Sequence, residues 1–215
     1  MGERLAVAIE TGDKRVFASA LEWPGWSRSG KTAEAAIESL LGYSARYAAV
    51  AERAGLSFPR AFDAEVAEEA GGGSGTDFGV PSVLLHDNDA RPVDASEAHR
   101  LGAIVEAAWA TFDATAAMAP AELRKGPRGG GRDRDKMVAH VNEADWYYAK
   151  ELGIRAPAPK TPADTESIRA AMLDVLRRPS DGSPLAGGRW RARYAARRIA
   201  WHALDHAWEM EDRSE

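Results

Sequence analysis

The sequence predicts an α+β protein: a small β-sheet-plus-helix unit over residues 1–90, followed by an antiparallel four-helix bundle over residues 91–215. Three observations predict it. Short apolar runs bounded by Gly/Asp turns occupy the first ninety residues, the pattern of hairpin strands. Four stretches with apolar residues at 3–4 spacing occupy the rest. Between them, Gly71-Gly72-Gly73-Ser74-Gly75 and the polar segment His86-Asp87-Asn88-Asp89-Ala90-Arg91-Pro92 mark a break in composition. Charge changes there too, from a net −6 over residues 1–90 to +1 over residues 91–215, in a chain of net −5.

In the first unit, Leu5-Ala6-Val7-Ala8-Ile9 and Val16-Phe17-Ala18-Ser19-Ala20-Leu21 flank Thr11-Gly12-Asp13-Lys14-Arg15 and form a β-hairpin. Trp23-Pro24-Gly25-Trp26 is a turn, because Pro fixes φ and Gly tolerates positive φ. Thr32 then caps one helix running to about residue 54, with Ala36, Ile37, Leu40, Leu41, Tyr43/Ser44, Tyr47 and Val50/Ala51 on its apolar stripe and Gly55 at its end. Residues 62–70 make a third strand, exposed or at an edge because of Glu65, Glu68 and Glu69. Trp23 and Trp26 read either as an aromatic binding surface or, more often beside a Pro-Gly turn, as packed over the hairpin.

In the second unit, Asp94 with Glu97 opens the first helix, whose stripe is Leu101, Ile104, Val105, Ala108, Trp109 and Phe112, and Pro120 ends it. The second starts at the cap Asp133 and ends near Leu152-Gly153, with Met137, His140, Val141, Ala144, Tyr147 and Tyr148 inward. The third begins at Thr161-Pro162, with Pro at the first helical position, and stops at Pro179. The last runs from about Arg189 to Glu211. Short connections between such helices suggest an up-down-up-down arrangement.

Composition removes several classes of function. The chain has no cysteine, which excludes disulfides, a thiolate metal site and a Cys nucleophile, and fits a reducing cytoplasm. No run approaches the roughly 18 apolar residues of a membrane span. Glu3, Arg4 and Glu10 leave no signal-peptide core at the start. A net negative charge argues against a nucleic-acid partner. Any metal must therefore be held by the five His and the carboxylates.

His202 and His206 stand one turn apart on an otherwise apolar face of the last helix. Their Cβ atoms are then roughly 5–6 Å apart, so two imidazoles can converge on one ion. His140, midway along the second helix, can supply a third ligand from across the bundle. Three neutral imidazoles with an open position make a catalytic type of site. Spacing alone leaves open the other reading, in which these are hydrogen-bonded core histidines.

Two resemblances extend this reading. Residues 16–26, with Ser29-Gly30-Lys31-Thr32-Ala33-Glu34-Ala35-Ala36-Ile37 after them, resemble the HicB-like fold: a strand, a Pro-Gly turn, a Gly before the cap and an "EAI/EAL" helix start. That likeness covers about the first 70 residues, lacks the DNA-binding tail of HicB antitoxins, and implies an accessory or dimerisation module. Asp133-Arg134-Asp135-Lys136-Met137-Val138-Ala139-His140-Val141-Asn142-Glu143-Ala144 and Arg198-Ile199-Ala200-Trp201-His202-Ala203-Leu204-Asp205-His206-Ala207-Trp208-Glu209 resemble the DinB/YfiT-like superfamily. Its four-helix bundles bind a divalent metal through one His of the second helix and an H-x-x-x-H pair of the last. His140, His202 and His206 match that pattern in order and in helix, over about residues 92–212.

The resemblance implies a metal-dependent enzyme. Zinc is the favoured ion, with nickel or iron as alternatives. The favoured reaction is transfer of a low-molecular-weight thiol to a small electrophile, or its isomerisation, using glutathione, bacillithiol or mycothiol. The alternatives are a metal-dependent hydrolase and a non-enzymatic metal-binding or partner-binding stress protein. Glu143, one turn beyond His140, is the candidate catalytic base, and Tyr147 and Arg198 are candidate substrate-binding residues. The basic Gly-rich loop over residues 124–132 precedes a helix start and reads as a linker rather than an anion cradle, having no Gly-Lys-Ser/Thr ending. The expected partner is a small-molecule substrate, without nucleic acid or membrane, and a homodimer is left open.

Overall fold

The computed structural model describes residues 2–126, 131–185 and 187–214. It is mixed α+β, with a four-stranded sheet in the amino-terminal part and seven helices among the described residues. In chain order these are β1 (Glu3–Thr11), β2 (Val16–Ala20), β3 (Ser27–Gly30), α1 (Ala33–Gly42), α2 (Ser44–Arg53), β4 (Phe62–Gly71), α3 (Ser74–Phe78), α4 (Ala95–Met118), α5 (Arg134–Glu151), α6 (Pro162–Leu176) and α7 (Ala192–Ser214). No described helix is long and apolar enough to cross a membrane.

The sheet runs β3-β2-β1-β4. The hairpin pairs β1 and β2 antiparallel, with Ile9 opposite Ala18, and β4 lies parallel to β1 at the edge. Its exposed carboxylates keep that edge polar, with Glu65 paired to Arg4 at 2.6 Å. β3 is an addition to the expected strands: Ser27-Arg28-Ser29-Gly30 has no apolar alternation, yet it pairs antiparallel with β2, and its Ser27 hydroxyl donates to Ser19 at 2.7 Å. The sheet, not side-chain hydrophobicity, recruits it.

The single helix expected from Thr32 to about residue 54 is two helices, α1 and α2, parted at Tyr43. Gly42, a poor helix former, precedes the break. Tyr43 turns toward α7, its ring under the Arg28 guanidinium at 4.0 Å and 5.1 Å from the Trp208 ring. Thr32 does cap α1, accepting from the Ala35 N–H. Trp23 and Trp26 are both buried: Trp26 stacks on Tyr47 at 5.3 Å and donates its indole N–H to the Leu40 carbonyl at 2.9 Å.

The four long helices carry the caps their sequences encode at two of four starts. Asp94 accepts from the Glu97 N–H, and Thr161 and Asp164 form a reciprocal capping box with Pro162 in the first turn. Asp133 stands at the cap position of α5, but its carboxylate accepts instead from the Leu123 N–H and pairs with Lys125. α7 begins at Ala192, later than the expected Arg189, and ends at Ser214.

α7 is the axis of the molecule. It packs along α4 and against α5, and it is buried nearly all the way round, by Ala195, Ile199, Ala203, Leu204 and Ala207. The sheet leans on it as well. Phe17 meets Trp201 edge-on at 6.2 Å, and Arg28 pairs with Asp205 at 3.0 Å. The β2–β3 turn presses so closely on α7 that a Cβ on Gly25 would lie 2.8 Å from the Ala200 Cβ, and Gly25 itself has φ +91°. Only glycine meets both conditions there. One apolar core therefore runs from Leu5 and Val7 through Leu40 and Val50 to Leu204 and Trp208. Within it Arg197 pairs with buried Asp89 at 2.6 Å, tying the segment after β4 to α7.

α5 is fixed to its neighbours by a second polar cluster. Asp145, 1 % exposed, accepts from the Trp109 indole at 3.2 Å and from Arg169 Nε at 2.8 Å. Arg169 also donates to Asp113 at 2.9 Å and to Asn142 at 3.3 Å. Three helices, α4, α5 and α6, are thereby joined around one guanidinium.

Candidate metal centre

On α5 the buried stripe is Met137, Val141, Asp145 and Ala149, and His140 lies at its margin, partly exposed. On α7 the i, i+4 spacing stacks His202 above His206, with His202 7 % exposed and His206 partly so. The two helices bring one ligand nitrogen from each of the three imidazoles to within 4.8 Å of one another. His140 Nε2 and His202 Nε2 are 3.3 Å apart. That matches the edge of a tetrahedron of nitrogens about an ion with bonds near 2.0–2.1 Å, which is roughly 3.3–3.4 Å. The rings stand edge to face, His202 to His206 at 4.7 Å between centroids.

The surroundings suit a ligand role. His206 Nδ1 is held by Glu209 Oε2 at 3.1 Å, which leaves Nε2 to face the other two rings; Glu209 is held in turn by Arg213 at 2.6 Å. Burial, with the Arg132 and His206 charges adding to it, pulls the His140 pKa down to about 4 against the opposing pull of Glu209. Burial, then the His206, Arg198 and His140 charges, pulls His202 well below the ordinary imidazole value. Both rings are thus neutral at pH 7 with a lone pair available, the form that binds metal. The hydrogen bond from His206 holds the Glu209 carboxyl below its ordinary value, so it is a carboxylate that can orient His206.

Aromatic and cationic side chains wall the site. The Tyr148 ring stands edge-on to His202 at 5.6 Å, and Trp201 lies 6.2 Å from it. The Arg198 guanidinium, one turn before His202, lies 5.2 Å from the Tyr148 ring centroid and 4.9 Å from that of Trp201. His202 Nδ1, Trp201 Nε1 and Arg198 Nη1 are all buried without a hydrogen-bond partner among the described residues.

Of the residues singled out from sequence, His140, His202, His206 and Arg198 share this place. Glu143 and Tyr147 do not touch the imidazoles. Glu143 is exposed and lines a groove of about 670 Å³ between α5 and α6, with Asn142, Trp146 and Thr165. Tyr147 is 51 % exposed and packs on Trp146 and under the Lys150 ammonium. The tyrosine at the site is the next residue, Tyr148, rotated about 100° round the helix. Tyr148, Trp201 and Glu209 were not singled out. An acidic residue three positions after a ligand histidine, as Glu209 is after His206, is the signal that points to an orienting carboxylate. Of the basic Gly-rich loop, residues 127–130 lie outside the described residues; beside them, Arg124 donates to the Asp212 carbonyl at 2.7 Å.

Compared with known proteins, the chain matches no protein-family model, no curated protein and no solved structure.

Proposed function

We propose that α4–α7 form a DinB-like four-helix bundle whose His140, His202 and His206 hold one divalent metal ion, zinc before nickel or iron. In this reading the protein is a metal-dependent enzyme that transfers a low-molecular-weight thiol to a small electrophile or isomerises it. One observation carries the reading: three imidazoles from two helices converge within 4.8 Å, two of them at the spacing of a tetrahedral metal edge.

When bound, such an ion supplies Lewis-acid chemistry that lowers the pKa of a thiol or water and leaves a coordination position for it. The chain's own residues do the rest. Glu209 fixes the tautomer of His206 through Nδ1. Tyr148 and Trp201 shield His202 from water, and Arg198 sets a positive charge beside the reacting groups. A chain without cysteine must take its thiol from a cofactor. The sheet braces α7 through Gly25, Phe17 and Arg28, in keeping with a supporting, HicB-like module.

The rival is a protein that binds metal without turnover. One observation favours it: Glu143, the carboxylate proposed as a base, is exposed on the α5–α6 groove and not beside the imidazoles.

The test is elemental analysis of protein purified without an affinity metal or chelator, alongside His140→Ala and His206→Ala. Close to one equivalent of a transition metal in the wild type, lost in both variants, is the expected result. Wild-type protein that carries no metal and binds zinc more weakly than micromolar on titration would defeat the proposal.

A further inference from the structure

The arginines around α7 are almost all spoken for. Arg28 is paired with Asp205, Arg46 with Asp212, Arg193 with Glu97, Arg197 with Asp89 and Arg213 with Glu209. Arg198 is the exception at the site. It is partly buried, it lies one turn from His202, and it has no carboxylate within 4 Å among the described residues. Its guanidinium is packed by aromatic rings, Tyr148 and Trp201. Contacts of that kind engage a guanidinium while leaving N–H donors that suit the two oxygens of a carboxylate. Arg198 Nη1 is buried and unpaired, and so is the neighbouring Trp201 indole N–H. Arg28, Arg46, Arg193, Arg197 and Arg213 also carry one unpaired buried nitrogen each, but each of them has a carboxylate partner; Arg198 has none among the described residues, so its guanidinium is open to an acceptor from outside the chain.

We infer that this centre takes a carboxylate-bearing small molecule, whose carboxylate is held by Arg198 with help from the Trp201 N–H while its reactive end lies at the three imidazoles. The inference rests on the metal reading above and gives it a substrate class: organic acids rather than neutral electrophiles or neutral thiols. The charge at the site supports the choice, because Arg198 and a divalent ion together present a positive field to an anion.

The experiment uses the full chain loaded with cobalt(II), its metal content measured by elemental analysis. It is titrated with 3-mercaptopropionate and separately with 1-propanethiol, following the thiolate-to-cobalt absorption band. The expected result is at least about tenfold tighter binding of the carboxylated thiol to the wild type. In Arg198→Met that preference disappears while one equivalent of cobalt remains. Trp201→Phe keeps an aromatic ring but removes the N–H and part of the indole, and reduces the preference by roughly threefold. Equal affinity of the two thiols for the wild type, or a preference unchanged in the variants that fold, overturns the inference and leaves the metal site standing. A wild-type chain that takes up no cobalt overturns both.

Discussion

The buried polar clusters around Asp145 and around His202 are built differently. Around Asp145 both carboxylate oxygens are used, by Trp109 and Arg169, and Arg169 spends its remaining donors on Asp113 and Asn142. Around His202 three polar atoms, His202 Nδ1, Trp201 Nε1 and Arg198 Nη1, have no hydrogen-bond partner among the described residues, and two imidazole nitrogens face each other at 3.3 Å. The first cluster is closed on itself and joins three helices. The second leaves polar atoms unpaired among the described residues. Satisfied buried polar groups hold a fold together, whereas a concentration of unsatisfied ones marks where a ligand completes it.

The contrast is broken or sharpened first by deletion. Asp145→Ala strands the Arg169 charge in a buried place and should cost about 3–5 kcal/mol, read as a fall in the denaturant midpoint. Arg198→Met removes a donor that has no partner and should change stability by no more than about 1 kcal/mol. A loss in Arg198→Met as large as that in Asp145→Ala would show that the second cluster is structural after all.

A smaller effect is expected at the orienting carboxylate. Glu209→Gln keeps the size but weakens the hold on His206 Nδ1, so metal affinity should fall by about 10–100-fold with little change in folding. Competition with a chelator of known affinity measures it. An unchanged affinity would remove Glu209 from the site.

The smallest effect separates the clusters by the sign of their pH response. Burial raises the Asp145 carboxyl to about 6, Arg169 opposing. The contribution of that carboxyl to stability is therefore full below its ordinary value near 4 and is lost as pH rises through about 6. His140 goes the other way. Its folded value of about 4 lies below the ordinary 6.5, so its contribution is present above about pH 6.5 and is lost as pH falls through about 4. With His140 and His202 both held toward the neutral form, at most one of the three ligands has a proton for metal to displace near pH 5–6. Metal affinity should accordingly fall by no more than about tenfold between pH 6 and pH 5, where three ordinary imidazoles would each add to the loss. A steeper fall in titrations at the two pH values would mean that the imidazoles are not desolvated as the structure has them.

The long helices were legible because each keeps a 3.6-residue apolar repeat over four turns or more, and Asp94 and Thr161 announce two of the starts. The α1–α2 break was not, since Tyr43 leaves the helix to meet Arg28 and Trp208, residues distant in sequence. β3 was invisible for a similar reason: Ser27-Arg28-Ser29-Gly30 is a strand because β2 is beside it. At the site, the i, i+4 histidine pair could be read directly, but the approach of His140 depends on how α5 packs on α7, which no local spacing encodes. The same uncertainty of rotation explains why Tyr147 and Glu143 were singled out and Tyr148 was not. A small error in which face of α5 turns inward exchanges neighbours.

The seat of Gly25 on α7 has a consequence for how this chain can vary. Ala200 and Leu204, the residues that receive the turn, bracket His202. A larger side chain at position 200, or any side chain at position 25, pushes on the turn of helix that carries His202. The hairpin and the histidines are thus mechanically one part, and substitutions on either side of that contact are free only in matched pairs. A helical half expressed alone would expose the groove that Gly25 fills, and would loosen the one helix whose position the imidazole spacing depends on.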